Sequence, residues 1–402
     1  MNKKTIFSFL IAAFLGQFSE GIFNIVCILL LTKLGSSYIS IGYMFVLIML
    51  PSVFIQPITG PLIDSKNKAK LSALLAFIRG IFIALIPIWK SFFGSSIMII
   101  YVSIFVSYIM YHLLSSTNDS MMSELANGKN QKITEMIAAM QGALQVGLLS
   151  SALIAGFLTQ IFNAYIPLVI SAILYFASCI LFLCVKKPFN KKATIQINYK
   201  NATRTYLDEL KEAVFFLMRR KTALLMTALV IIPLPYFSSI NTLLSPANVH
   251  LFNGNAFTMG LIDSFAGIGS LIATIAIVKI KVSKIMTKVI LSLFLLGIST
   301  LLFPYSSYIT IACFIYMIMG IFIGFIKIYS RDIVYKLIPE NMVGRIFSLW
   351  TSLSLLCASF TSIINGYMAS HYLKIAYLLL GIALVMVGII YLYKLTKEHL
   401  NV

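Results

Sequence analysis

Acidic side chains are scarce in this 402-residue chain, 12 Asp and Glu against 31 Lys and Arg, and two of them, Glu20 and Asp263, fall well inside long apolar runs, away from the last turn at either end. A charged carboxylate at the centre of an apolar helix costs about 2.5 to 3.5 kcal/mol on insertion scales, so it must face protein or a wet cavity. At 100° per residue, Ala13, Gln17, Glu20 and Asn24 fall within an arc of roughly 60°, opposite a Leu and Ile surface. Glu20 can then carry a coupling proton, taken up in one conformation and released in another, or hold a cationic part of a substrate. A structural carboxyl hydrogen-bonded to Gln17 and Asn24 fits the same stripe.

Asp263 shares a face with Gly260, Gly267 and Ser270, small residues suited to close helix packing. Its place near one end of its run fits an outer-gate or interfacial role as well as a coupling one. His112, with Tyr108 and Tyr111 beside it, can titrate, touch substrate, or sit as a satisfied buried imidazole. Gln141 and Gln145, one turn apart, can line a cavity. Pro233 and Pro235 should bend their helix ahead of Tyr236, Ser238, Asn241 and Thr242, which makes an outer-half gate. Arg79 either snorkels to the membrane edge or pairs with Asp119 or Glu124. Gly320 and Gly324 read as packing residues.

The elements that must position these residues are membrane helices. Sixty per cent of the chain is hydrophobic and 11% charged, with a mean hydropathy of +0.96, far from the roughly 25% charged of soluble domains. Apolar runs of about 20 residues, enough to cross a hydrocarbon core of about 30 Å, recur as twelve candidate spans: Thr5 to Leu31, Tyr38 to Ile63, Leu71 to Trp89, Ser96 to Thr117, Ile133 to Ile161, Ala164 to Val185, Thr222 to Ser245, Phe257 to Ile280, Thr287 to Phe303, Ser307 to Val334, Ile346 to Ala369 and Ile375 to Lys394. The first resembles a signal peptide at its Lys3-Lys4 start, but its length makes it a span. Even without the central loop, Lys and Arg fall 17 to 3 across alternate loops, which places both termini in the cytoplasm.

Residues 1–185 and 222–402 form the two six-helix halves, and 186–221 a cytoplasmic loop between them. Within that loop, Leu207, Leu210, Val214 and Leu217 recur at helical spacing ahead of a basic end, the pattern of an amphipathic helix on the inner leaflet. Each half has a lysine-rich loop after its second helix and an aspartate, Asp119 or Asp332, ending its fourth. The expected fold is therefore an all-α membrane protein of twelve transmembrane helices in two pseudo-symmetric six-helix bundles around a central site.

Other function classes are disfavoured. The formal charge of +19 lies in short loops beside apolar runs, where it meets anionic inner-leaflet lipid, not nucleic acid. No Gly-rich phosphate loop, metal-ligand spacing or nucleophile-base pair is present, so neither an enzyme nor a cofactor is expected. The five cysteines all lie in apolar segments and read as small buried hydrophobes.

The stretch GPLIDSKNKAK, Gly60 to Lys70, resembles the signature between helices 2 and 3 of the major facilitator superfamily, with Gly60, Leu62, Asp64, Lys68 and Lys70 filling it. IPENMVGRIFSL resembles a stretch between helices 10 and 11 of the branch holding macrolide-efflux and siderophore-export proteins, through Pro339, Gly344, Arg345 and Ser348. The resemblance implies a monomeric cell-membrane exporter of a small organic molecule, an amphipathic drug or a siderophore-like metabolite, exchanged for H⁺ by alternating access. It also implies a cytoplasmic gate in which Asp64 meets the N-terminus of helix 11 at Gly344, where free N–H groups and the helix dipole attract an anion, with Arg345 adding a charge-assisted bond. Efflux members carry a Gly-Pro pair in helix 5, where this chain has Ser150 and Ser151 between Gly147 and Gly156. That departure leaves room for an importer or facilitator of a small nutrient. A non-transporting sensor or assembly partner would need neither the carboxyl in helix 1 nor the gate motif.

Overall fold

The computed structural model describes residues 3–35, 37–64, 67–125, 130–185, 211–279 and 285–398, and these are helical apart from short connections. The first half runs through α1 (Lys3–Leu34), α2 (Ile39–Asp64), α3 (Lys68–Phe93), α4 (Ile97–Leu125), α5 (Asn130–Ile161) and α6 (Tyr165–Leu183). A helix α7 over 211–219 follows, then α8 (Lys221–Ala228), α9 (Pro233–His250), α10 (Ala256–Lys279), α11 (Ile285–Leu302), α12 (Ile309–Leu337), α13 (Glu340–His371) and α14 (Leu373–Glu398). Among the described residues, 11 helices are long and apolar enough to cross a membrane, and Ile39–Ile55 of α2 is a further apolar segment. Only helices satisfy every backbone N–H and C=O within one strand of chain, which is why apolar runs in lipid become helices. The architecture is the expected twelve-helix one.

Local chemistry sets the helix ends. The Asn67 side chain accepts a bond from the Lys70 N–H, 3.2 Å long, and so caps α3. Gly94, at φ 84°, ends it in a conformation that a side chain would disfavour. The prolines at 233 and 235 interrupt the seventh span as anticipated: α8 stops, one 3-10 turn covers Leu229–Ile231, and α9 restarts at Pro233, whose missing N–H is harmless at a first turn. Ile338, which precedes Pro339, is extended at φ −109° and ψ 133°, and this separates α12 from α13.

The chain forms two compact units: Met1–Gly35 with Leu47–Thr205, and Ser36–Val46 with Tyr206–Val402. In unit 1 hydroxyls zip α1 to α6, the Ser19 Oγ donating to the Ser171 carbonyl (2.7 Å) and the Ser178 Oγ to the Ala12 carbonyl (2.8 Å). In unit 2 the start of α2 lies against α13, where a Cβ added at Gly366 would stand 2.9 Å from the Ile39 Cα.

The sequence stripes are refined in two places. The face of α10 that meets α12 runs through Ala266, Gly269, Ser270 and Ala273, so it takes in Ser270 of the expected Gly260, Gly267 and Ser270 face and is centred beside it. The reason lies on α12, where Gly320 and Gly324 open a groove that accepts the α10 backbone itself. In α7 the expected stripe divides. Leu217 joins Ala213, Val334, Ile346 and Trp350 in a buried cluster, whereas Val214 is exposed. Leu207 and Leu210 lie outside the described residues.

A Cβ at Gly320 would stand 2.8 Å from the Ala266 carbonyl carbon, whereas one at Gly344 meets nothing within 4 Å. Gly320→Ala should therefore destabilise the protein by roughly 1–3 kcal/mol, read as a lower Tm in detergent. Gly344→Ala should leave the Tm unchanged or raise it, because helical glycine carries excess backbone entropy.

Candidate functional site

Unit 1 holds a buried polar knot built from the first, third, fourth and sixth spans. Glu20 on α1 is 2% exposed and Arg79 on α3 is 1% exposed, and the two form an ion pair. The remaining lone pairs and protons are accounted for almost completely. The Glu20 carboxylate also accepts from the Tyr175 hydroxyl of α6 (3.0 Å) and from the Asn24 Nδ2 one turn along α1 (3.2 Å). The Asn24 Oδ1 in turn accepts from the Tyr108 hydroxyl of α4 at 2.5 Å. The Arg79 Nε donates to the Ser107 Oγ (3.1 Å), and its guanidinium lies over the rings of Tyr175 and Tyr111, 4.4 and 5.0 Å from their centroids. Arginine suits such a site because its planar fork can donate in several directions while its faces stack on aromatics.

This geometry corrects one expectation and completes another. Arg79 pairs with Glu20, and neither snorkels nor takes Asp119, which is exposed. The reason is the full burial of Arg79 among α1, α4 and α6, where only a facing carboxylate can offset its charge. Asn24 contacts Glu20 as the stripe suggested, while Gln17 is half-buried and is not among the groups bonded to that carboxylate. Sequence reasoning passed over Tyr175 and placed Tyr108 only beside His112. The signal available was a tyrosine in the middle of an apolar run, whose hydroxyl must find a partner when buried.

The other candidates are dispersed. The His112 Nε2 lies 3.3 Å from the Ile48 carbonyl, and its ring meets Tyr111 edge-on, so the imidazole is satisfied within unit 1. Gln145 is half-buried, and the side chain of Gln141 lies outside the described residues. In unit 2 the Asn241 Nδ2 donates back to the Phe237 carbonyl (2.8 Å), and Tyr236 shares a 2.9 Å hydrogen bond with Thr300. Asp263 is half-buried.

For the gate segment, α2 extends through Gly60 and Asp64, but their side chains lie outside the described residues. Lys70 is exposed, Lys68 is half-buried, and Gly344 lies exposed in the first turns of α13. Arg345 forms an ion pair with Glu212 of α7. With Glu212 exposed and Arg345 half-buried, this contributes at most about 1 kcal/mol, but it fastens α7 to the start of α13.

Unit 2 contains a feature that the sequence reading missed. The hydroxyls of Tyr316 on α12 and Tyr377 on α14 are buried and have no hydrogen-bond partner. Each such group costs about 1–3 kcal/mol if it stays unpaired.

The sequence over residues 9–354 matches the family model described as Major Facilitator Superfamily. No curated protein matches it. Among solved structures, a nucleoside transporter NupG is similar with a TM-score of 0.73 at 13% identity, covering 97% of this chain and 99% of that one. A peptide transporter POT in complex with sulfate gives 0.72 at 14%, covering 98% and 94%. The POT family transporter PepTSo gives 0.72 at 13%, covering 100% and 99%. At these identities the likeness is one of fold.

Removing one partner of a buried pair leaves an uncompensated charge at a cost of about 3–5 kcal/mol, whereas replacing both with apolar or neutral groups is often near neutral. Arg79→Met should therefore lower the Tm sharply, and the double variant Glu20→Gln with Arg79→Met should recover most of the loss. Additive losses in the double variant would sink the ion-pair account.

Proposed function

This chain belongs to the major facilitator superfamily and is a membrane transporter of small molecules, and we propose that it exports a small amphipathic organic compound in exchange for protons. The substrate class, a drug such as a macrolide or a siderophore-like metabolite, follows the resemblance of Pro339, Gly344, Arg345 and Ser348 to the efflux branch. The two bundles, 1–185 and 222–402, alternate access to a central cavity, with Gln17, His112, Gln141, Gln145, Asn241 and Asp263 as its candidate polar residues. The orientation is termini-inside in the cell membrane, and the transporter acts as a monomer.

The observation that carries proton exchange is the Glu20–Arg79 pair. A carboxyl held by one guanidinium, one tyrosine and one asparagine loses most of its attraction for Arg79 once it takes a proton. Protonation would loosen the knot joining α1, α3, α4 and α6, which makes a conformational change dependent on proton occupancy. The cytoplasmic gate is assigned to Gly60, Asp64, Lys68 and Lys70 with Gly344 and Arg345.

At the lipid surface, Phe215 and Met218 of α7 are 57% and 66% exposed, and Arg219, Arg220 and Lys221 follow them. Apolar side chains next to a basic cluster suit an anionic inner leaflet.

A second reading, import or facilitated passage of a small nutrient, draws on α5. The Ser150 Oγ donates to the Val146 carbonyl and the Ser151 Oγ to the Leu148 carbonyl, both at 2.7 Å, and the helix runs unbroken where an antiporter Gly-Pro would disturb it.

Inside-out vesicles with an acidic lumen and a trapped pH-sensitive dye separate these readings. Export by antiport predicts loss of the gradient on adding substrate, absent in Glu20→Gln protein that retains a folded thermal transition. A Glu20→Gln variant with normal transport and a normal proton response would make Glu20 structural. For the gate, labelling of cysteines placed in the cytoplasmic half of the cavity should rise severalfold in Asp64→Asn, and unchanged labelling counts against it.

A further inference from the structure

The two units solve the same burial problem differently. In unit 1 the polar groups of α1, α3, α4 and α6 are neutralised internally, Glu20 by Arg79. The corresponding spans of unit 2 are α9, α11, α12 and α14, and they carry Tyr236, Thr300, Tyr316 and Tyr377 at their buried centre. Tyr236 and Thr300 satisfy one another. The rings of Tyr316 and Tyr377 both rest on Phe303, 5.4 and 5.2 Å from its centroid, so the two side chains share one buried neighbour. They are 2% and 0% exposed, and neither hydroxyl has a partner.

A carboxylate completes the group. Ala266 of α10 faces Gly320 of α12 and Ala273 faces Gly324, so the two helices run parallel, and Asp263 and Tyr316 each stand one turn before the first of these contacts; among the described residues Asp263 has no ion-pair or hydrogen-bond partner. No basic residue occupies Ala256–Ile277 of α10, and none lies between 309 and 326 on α12. Lys374, one turn before Tyr377, is exposed, with its ammonium 5.7 Å from the Tyr305 ring. Among the described residues of unit 2, no cation pairs with this carboxylate as Arg79 does with Glu20. An isolated anion within an apolar helix is unfavourable, and an unpartnered hydroxyl oxygen can accept a hard cation.

We propose that Asp263, Tyr316 and Tyr377 form a binding site for a small monovalent cation of the sodium class, which takes in unit 2 the place that Arg79 takes in unit 1. The charge of the ion follows from the single carboxylate, because a divalent ion would leave uncompensated positive charge. The all-oxygen ligand set selects an alkali ion over a transition metal, and the described residues hold no group of three or more His, Cys, Asp and Glu that could bind one. The half-buried position of Asp263 leaves the ion a way in.

The test is thermal unfolding of the purified full-length protein in NaCl or choline chloride, matched at an ionic strength of about 0.15 M. The wild-type Tm should be several degrees higher in NaCl. That difference should vanish in Asp263→Asn and in the double variant Tyr316→Phe with Tyr377→Phe. Equal wild-type Tm values in the two salts would overturn the proposal, as would a sodium effect that survives in Asp263→Asn. A double Phe variant more stable than wild type in both salts would show the hydroxyls to be orphans in a dry chamber, and would overturn it too. Should Asp263→Asn not fold, saturable binding of radioactive sodium to the wild-type chain decides, with no saturation counting against the site. Proton exchange at Glu20 is judged apart from this, since the vesicle dye response can be recorded in choline alone.

Discussion

A full positive charge inside an apolar helix bundle must be matched on the spot, and in this protein Arg79 is matched by Glu20. Much of unit 1 can be understood from that requirement. The carboxylate needs further donors, so Tyr175 and Asn24 converge on it; the guanidinium needs an acceptor and aromatic faces, so Ser107, Tyr111 and Tyr175 surround it. Four spans thus meet at one point through polar contacts that lipid cannot supply. Small residues elsewhere let the same helices approach: Gly147 of α5 lies against the α1 backbone at Phe14 and Phe18, and Gly80 of α3 against the Phe176 ring. Hydroxyl-to-carbonyl bonds between α1 and α6 hold the register in which Glu20 and Tyr175 face one another.

Among its described residues unit 2 has no such buried pair and relies on close helix packing. The α12 glycines admit α10, and a cluster around Trp350 seals the end where α7 docks. The Trp350 indole donates to the Thr227 Oγ1 at 3.0 Å, which ties α13 to the broken seventh span. The break at Pro233 and Pro235 is therefore anchored on both sides, below by Trp350 and Thr227, above by Tyr236 and Thr300.

The helices themselves were legible in the sequence because lipid imposes a length and a composition on each. The segment from Thr5 to Leu31 became Lys3–Leu34, and the expected bend at Pro233 became a 3-10 turn. What stayed hidden was partnership across distant segments. Arg79 had acidic residues near it in the expected topology, but its partner was decided by which faces of α1 and α3 turn towards each other, and no local pattern encodes that. Tyrosines were harder still. In an apolar run, Tyr175, Tyr316 and Tyr377 differ from lipid-facing aromatics by one oxygen atom, and only burial gives that atom significance. The α7 stripe misled in the opposite sense: helical spacing identified an amphipathic segment, but Leu217 found its apolar environment in protein instead of membrane.

The division of the chain into units does not follow chain order. Ser36–Val46, which takes in the opening turns of α2 from Ile39, belongs with unit 2, and the remainder of the same continuous helix belongs with unit 1. Along that segment the Ser37 and Tyr38 contacts to Ser370, the Tyr38 hydroxyl bond to His250 and the close approach at Gly366 supply part of the packing of α9 and α13. A C-terminal half produced as a separate polypeptide from the central loop onward would lack that layer. It would expose to lipid or solvent a strip of α13 whose glycine and serines are shaped to receive another helix, so the genetic midpoint of the chain is not its structural seam.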